Sequence, residues 1–437
     1  MKLNLLKNKE VKNAGWIISG KVVQMLLSLF VGVLSTRFLG PENFGLISYA
    51  GAFVNFFMAF CTLGINSVII KDFIDKPEEQ GLALGTSILL RIVSSFMSAV
   101  MIIVIVSFLD YGETATIIVV ALSSVSLVFH AFDTINYWFQ KQYKSKITAI
   151  STFVAYVITA AYRIVLLIFN KNVFWFAFAN SVDYIVHALL MLSAYKKYNG
   201  PRISFSLLKA KQLLGKSYHY ILSGMIVAIY GQMDKLMLKQ VIGETEVGHY
   251  SVGTTLCATW TFVLVAIIDS IYPTILTLHA KNREQYERKN RQLYSIVFYL
   301  SVFVSTVMCV FGDFIVYIMY GAEFAPAAMP VKIVTWYTAF SYLGVARNAW
   351  IVCENKQKYL KYMYGGAAVA NIVLNLIFIP IWGASGAALA TLLTQIFTSI
   401  IFPYCVKELR PNAKLMLQAI LLKDFRNENI IKTKREG

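Results

Sequence analysis

Charge is what this 437-residue chain has least of: 14% of its residues are Asp, Glu, Lys or Arg, against 57% apolar. That balance excludes an ordinary water-soluble domain, in which about a quarter of residues are charged. Acidic residues are the scarcer kind, 23 against 40 basic, for a formal net charge of +17. Cysteine is sparse too. Cys61, Cys257, Cys309, Cys353 and Cys405 sit in or beside apolar runs with no close pair. This excludes a disulfide framework or a zinc site and leaves small buried hydrophobes. No nucleotide fingerprint is complete. Gly15 to Lys21, GWIISGK, begins like a phosphate loop. Yet Val22 stands where the magnesium-binding hydroxyl belongs, and no strand precedes it. Direct drive by ATP is therefore not expected.

What is present is apolar sequence in long runs, and a bilayer core takes about 20 such residues per helix. About twelve runs have this length. They lie near residues 15–38, 44–70, 82–109, 114–138, 147–169 and 173–195, then 217–242, 247–276, 292–319, 327–352, 359–379 and 384–406. The run from Ala14 to Leu39 is too long for a signal-peptide core, and no small-residue cleavage site follows it. The first span is expected to be its own insertion signal. The stretch LMLQAILLKDF near the C-terminus reads as an amphipathic helix on the membrane surface.

The chain is organised around Arg37 to Tyr49, RFLGPENFGLISY, which joins the first two runs. Gly40-Pro41 cannot continue a helix, and Asn43 reads as an N-cap for the next one. This stretch recurs. Val241 to Gly253, VIGETEVGHYSVG, matches it at Gly40/Gly243, Gly45/Gly248 and Ser48/Ser251. Asn136-Tyr137-Trp138 is echoed by Asn348-Ala349-Trp350, each closing an apolar run. Two echoes at nearly one offset indicate a half written twice.

Lysine and arginine gather at the N-terminus, in the loops after even-numbered spans and in the tail, whereas the loops after odd-numbered spans hold Asp110, Glu113, Glu244, Glu246 and Glu323. This is the positive-inside pattern, with both termini cytoplasmic. It accounts for the basic charge without nucleic acid. The expected fold is an all-α integral membrane protein of about 12 transmembrane helices in two six-helix lobes, related by a pseudo-two-fold axis along the membrane normal. Residues 1–198 would form the N-terminal lobe, 199–216 a cytoplasmic linker, 217–408 the C-terminal lobe and 409–437 a basic tail.

Charges inside the spans are costly, and face a bundle interior or a water-filled cavity. The cations are Lys21, Arg91, Arg163, Lys235 and Arg347. Together they form a candidate cationic cavity for an anionic group, with guanidinium suited to phosphate oxygens. Lys21 lies about 9 Å into the first span at 1.5 Å per residue. The other four are also near enough to an interface to snorkel. The anions are Asp133, Asp183, Asp234 and Asp269; with His187 they are candidates for coupling to an ion gradient, and His130 accompanies them. Asp234 and Lys235 could instead neutralise each other, and the histidines could be packed polar groups. The tryptophans, Trp138, Trp175, Trp350 and Trp382 among them, fall mostly near helix ends, as interfacial belts do.

Three stretches carry a family resemblance: Arg37 to Ala50, Asp234 to Gly253 (DKLMLKQVIGETEVGHYSVG) and NLIFIPIWGASGAALAT. Their order across the spans resembles the polysaccharide repeat-unit (O-antigen and capsule, Wzx-like) flippases. That family is a branch of the multidrug/oligosaccharidyl-lipid/polysaccharide (MOP) exporter superfamily. The resemblance implies a transporter, not an enzyme, in the bacterial cytoplasmic membrane. It would move undecaprenyl-pyrophosphate-linked oligosaccharide to the outer leaflet by alternating access, with no cofactor beyond a proton or sodium gradient. It also implies a polymerase and glycosyltransferases as pathway partners, and a cationic first-span position that maps to Lys21. A multidrug/cation antiporter and a lipid II-type flippase remain alternatives. The first would favour an acidic cavity and the second carries additional spans.

Overall fold

This computed structural model describes residues 9–423, apart from the side chains of residues 9–23 and of Leu26, Leu222, Ser223 and Tyr230. Among the described residues all regular structure is helical. That follows from the apolar composition, since a backbone in hydrocarbon must satisfy its own polar groups within the helix. The helices are α1 (Lys9–Thr62), α2 (Ile69–Asp75), α3 (Gln80–Leu109), α4 (Thr114–His130), α5 (Thr134–Lys141), α6 (Ser145–Ile168) and α7 (Val173–Lys197). They continue with α8 (Leu207–Val241), α9 (Glu244–Lys281), α10 (Arg283–Tyr320), α11 (Ala328–Ala346), α12 (Asn348–Cys353), α13 (Leu360–Ile396), α14 (Phe402–Cys405) and α15 (Arg410–Ile420).

Among the described residues, eight segments are long and apolar enough to cross a membrane. Two long helices are double. α1 breaks at Gly40 (φ 72°, ψ 172°) and α13 at Gly383 (φ 55°, ψ −131°). The outward faces of α3 and α10 keep Phe96, Phe108, Phe303 and Phe311 exposed, as a surface in contact with lipid does.

The break at Gly40 needs a positive φ that a Cβ would resist, and Pro41 then supplies no N–H. Asn43 departs from expectation here. Its amide nitrogen donates to the Leu39 carbonyl at 3.0 Å, so it completes the end of the first segment and does not cap the second. Span 2 also ends sooner than expected, at Leu63-Gly64, where both residues have positive φ.

The chain forms two compact units, Met1–Gln232 and Met233–Gly437, and the boundary falls within α8. Each unit has its own core. One gathers Ile69, Phe73, Leu84, Trp138, Phe139 and Tyr195. The other gathers Leu264, Tyr286, Tyr294, Trp350, Leu415 and Met416. The internal echo is visible in the backbone. Positive φ recurs in the same order in the two units, at Gly40 and Gly243, Gly112 and Gly321, Tyr143 and Asn355, then Asn170 and Gly383.

Two expectations are revised. Trp138 and Trp350 are core residues, 4% and 2% exposed, while Trp175 and Trp382 are exposed as belt residues would be. Helix α15 turns its apolar face to the second unit and not to lipid. Leu415, Met416 and Ala419 are buried, and Asn412 donates to the Tyr294 hydroxyl at 2.7 Å.

The segment between α7 and α8 packs as a strap against the first unit. Ser204 N–H donates to the Gly81 carbonyl and Ser206 N–H to Thr86 Oγ1. A Cβ at Gly81 would collide with the Arg202 carbonyl oxygen, so this close approach requires glycine. Lys209, 2% exposed, closes the strap through ion pairs with Asp72 at 2.6 Å and Glu79 at 2.8 Å. Burial works against its ammonium. The contacts with the two carboxylates outweigh that cost and hold its pKa above the ordinary lysine range.

Removing one partner of a buried ion pair costs about 3–5 kcal/mol, because the other charge is left uncompensated. Lys209→Met therefore lowers the thermal midpoint of the detergent-solubilised protein. Adding Asp72→Asn recovers most of the loss, which a melting series of the two single variants and the double variant checks.

Candidate functional site

The polar side chains of α7 fall on one face. Asn180, Asp183, Tyr184 and His187 are spaced i, i+3, i+4 and i+7, the repeat that aligns residues along a helix. Helix α4 answers with Ser123, Ser126 and His130, and α1 with Gly51, Val54, Asn55 and Met58. Within the first unit these faces enclose a pocket of about 280 Å³ lined by Asn55, Met58, Ser123, Ser126, Asn180, Asp183 and Tyr184, among others. Arg163 of α6 stands at its wall and donates from Nη2 to Asn180 Oδ1 at 2.8 Å. Thr159 Oγ1 donates to Asp183 Oδ1 at 3.4 Å.

A second polar group lies beyond Tyr184, whose ring meets the His130 ring edge-on at 5.3 Å. Helix α4 stops at His130 and α5 starts at Thr134, with one tight turn between them. A helix end leaves carbonyls unpaired. Arg91, 2% exposed, fills this gap. It donates to the His130 carbonyl at 3.1 Å, to Thr134 Oγ1 at 2.8 Å and to His130 Nδ1 at 2.8 Å. A guanidinium has no acceptor, so His130 Nδ1 must carry the lone pair. Its Nε2 then faces Asp133 Oδ2 at 3.1 Å, and His187 Nε2 lies 3.4 Å from Asp133 Oδ1. Arg91, His130, Asp133 and His187 thus form one buried chain of contacts.

The second unit holds its intramembrane charge differently. Asp234, on α8, is buried and accepts four hydrogen bonds from neutral donors. Oδ1 takes Asn371 Nδ2 at 3.0 Å and Asn375 Nδ2 at 2.6 Å; Oδ2 takes the Tyr250 hydroxyl at 2.7 Å and Thr391 Oγ1 at 2.6 Å. Among the described residues no ion pair within 4 Å joins it to Lys235; the four neutral donors hold it. Lys235 is half-buried next to it.

Arg347 is buried near a widened, π-helical turn at Phe397–Ile401. There Phe402 N–H bonds to the Phe397 carbonyl, and the next residue, Pro403, has no N–H for Thr398. Arg347 Nη1 donates to the Thr398 carbonyl instead, at 3.0 Å.

The predicted cations are shared between the two units. Arg91 and Arg163 belong to the first unit, Lys235 and Arg347 to the second. The side chain of Lys21 lies outside the described residues. Of the predicted anions, Asp133 and His187 come together, Asp183 lines the pocket, Asp234 is caged and Asp269 is exposed on α9. Asn55, Ser123, Ser126, Asn180 and Tyr184 were missed from sequence, as were the cage residues Tyr250, Asn371, Asn375 and Thr391. The α7 stripe and the i, i+4 pair Asn371/Asn375 in an apolar run were the available signals.

Helices of membrane length with polar and charged faces turned inward define a membrane transport protein. The chain belongs to the polysaccharide biosynthesis protein family, whose model matches residues 11–279. It is 22% identical over 268 residues to a putative O-antigen transporter of Escherichia coli K12, covering 59% of this chain and 63% of that one. It is 25% identical over 201 residues to the probable low-salt glycan biosynthesis flippase Agl15 of Haloferax volcanii, covering 44% of this chain and 42% of that one. The chain thus spans less than two thirds of the length of these curated relatives.

Its fold is that of the MOP superfamily. It is similar to an inward-facing multidrug resistance MATE family transporter (TM-score 0.67, 15% identity, 90% of this chain and 96% of that one). It is similar also to the lipid II flippase MurJ in an inward closed conformation (TM-score 0.67, 12% identity, 93% and 91%). These neighbours are transporters and flippases, not enzymes.

Losing one donor to a buried carboxylate costs about 1–3 kcal/mol. Tyr250→Phe should destabilise the protein by that amount, read as an earlier melting transition in detergent. A melting curve identical to wild type would show that the hydroxyl does not hold Asp234.

Proposed function

We propose that this chain is a flippase that carries oligosaccharide repeat units linked to undecaprenyl pyrophosphate from the cytoplasmic to the outer leaflet of a bacterial cytoplasmic membrane. The two units would alternate access, with both termini in the cytoplasm. The glycosyltransferases that build the unit and the polymerase that consumes it would be its pathway partners. One observation carries the reading: an open polar pocket built inside helices of membrane length. Such a surface is costly against lipid and is retained where water or polar cargo meets it.

The headgroup is the hard part of the cargo, because burying a pyrophosphate unpaired is prohibitive. Lys21, Arg163 and Lys235 are proposed to accompany it, with Arg91 and Arg347 contributing positive potential from deeper in each unit. Asp234 is proposed as the coupling site. It is a buried carboxylate inside the spans, held by four neutral donors. Asp133, Asp183, Asp269 and His187 are the further candidates for coupling.

The test is translocation of a pyrophosphate-linked polyprenyl oligosaccharide in proteoliposomes, with proton and sodium gradients imposed in turn. Wild type translocates the headgroup. Lys21→Ala and Lys235→Ala slow it about tenfold or more, the equivalent of one charge-assisted hydrogen bond. Asp234→Asn keeps the cage's shape and abolishes the response to the gradient. Well-folded wild type that translocates none of several glycans under either gradient would overturn the reading in favour of a drug antiporter.

A further inference from the structure

The pocket of the first unit has a chemistry of its own. Its volume of about 280 Å³ is roughly nine times the ~30 Å³ share of one water molecule. That is far more than a bare cation needs, and slightly below the ~300–1,000 Å³ of pockets for drug-sized ligands. A single monosaccharide is of this scale.

The lining offers donors and acceptors side by side. Asn180 accepts from Arg163 through Oδ1, which fixes the orientation of its amide and leaves both Nδ2 protons as donors. Asp183 accepts from Thr159 through Oδ1, and its Oδ2 has no protein donor among the described residues. Asn55 is exposed at the mouth, and the Ser123 hydroxyl lies on the wall. Ser126 is spent on the Ser123 carbonyl at 2.6 Å.

Each sugar hydroxyl both donates and accepts, so two adjacent hydroxyls are matched by one carboxylate oxygen and one amide N–H. Asp183 and Asn180 present that pair three residues apart on one helix face. An apolar platform completes the site. The Tyr184 ring is held edge-on by His130, and Met58 also lines the pocket, so the C–H face of a pyranose ring has apolar surface to rest on.

From this arrangement we infer that the pocket between α1, α4 and α7 is a subsite for one neutral, hydroxyl-rich monosaccharide unit of the transported glycan. Asp183 and Asn180 bind adjacent hydroxyls, Tyr184 carries the ring face, and Arg163 is a positioning residue that orients Asn180. The inference rests on the flippase reading for its cargo. It adds a specificity rule, since the Asp183 carboxylate repels a sugar acid at the same place.

Two measurements separate this subsite from the flippase reading. The first is proteoliposome translocation of polyprenyl-pyrophosphate substrates that carry either a neutral hexose or a uronic acid at the same position. Wild type prefers the neutral sugar. Asp183→Ala and Asn180→Ala raise the half-saturating concentration of the neutral substrate about tenfold, and Asp183→Asn narrows the preference against the acid. Translocation with unchanged sugar preference in all three variants would discard the subsite and keep the flippase. Loss of gradient response in Asp183→Asn with sugar preference intact would also discard it, in favour of ion coupling at Asp183.

The second measurement is saturation-transfer NMR of free neutral oligosaccharide with the detergent-solubilised full chain, which needs no transport. A signal in wild type that disappears in Asp183→Ala and persists in Lys21→Ala supports the subsite even if no lipid-linked substrate moves. An absent signal in wild type, or one equal in Asp183→Ala, overturns it. Tyr184→Phe retains the ring and should retain the signal, which guards against variants that fail for want of folding.

Discussion

A helix in hydrocarbon satisfies its backbone everywhere except where it breaks, and at those places a side chain has to take over. This constraint organises the charged residues of the molecule. Asn43 takes the Leu39 carbonyl at the Gly40 break. Arg91 takes the His130 carbonyl where α4 gives way to α5. Arg347 takes the Thr398 carbonyl that Pro403 leaves unpaired. Glu246 works from the opposite polarity. Its carboxylate accepts from Ala384 N–H at 2.6 Å, at the helical segment that reopens after Gly383. At these breaks, polar side chains inside the spans answer the backbone groups that the interruption leaves unpaired.

The two units spend their intramembrane polarity differently. The first runs a connected chain of titratable groups, from His187 through Asp133 and His130 to Arg91, and touches an open pocket through Tyr184. The second isolates one carboxylate among neutral donors. Lys209 ties the start of α8 to the first unit and Asp234 ties its far end into the second, so one helix carries an anchor for each.

Local chemistry made much of the fold legible in the sequence. The lengths of the apolar runs and the Gly40/Gly243 echo depend on bilayer thickness and backbone sterics, which act over a few residues. The family followed from stretches of the same kind. Asp133, Asp183, Asp234 and His187 were also legible, because a charge in an apolar run is conspicuous wherever it points.

Tertiary structure decided which partner each of those charges met. Asp234 sits beside Lys235 in the chain, yet it is held by Asn371, Asn375 and Thr391, more than 130 residues away. Nothing local in the basic, Gly-Pro-containing stretch marks Lys209 as the lysine that is buried against Asp72. Trp138 and Trp350 looked interfacial until each became part of a core. The reason is the same in every case. Sequence by itself determines which groups are costly to leave in lipid, through their intrinsic polarity. Only the packing of distant helices determines what relieves that cost, because hydrogen-bond partners are chosen by distance in space.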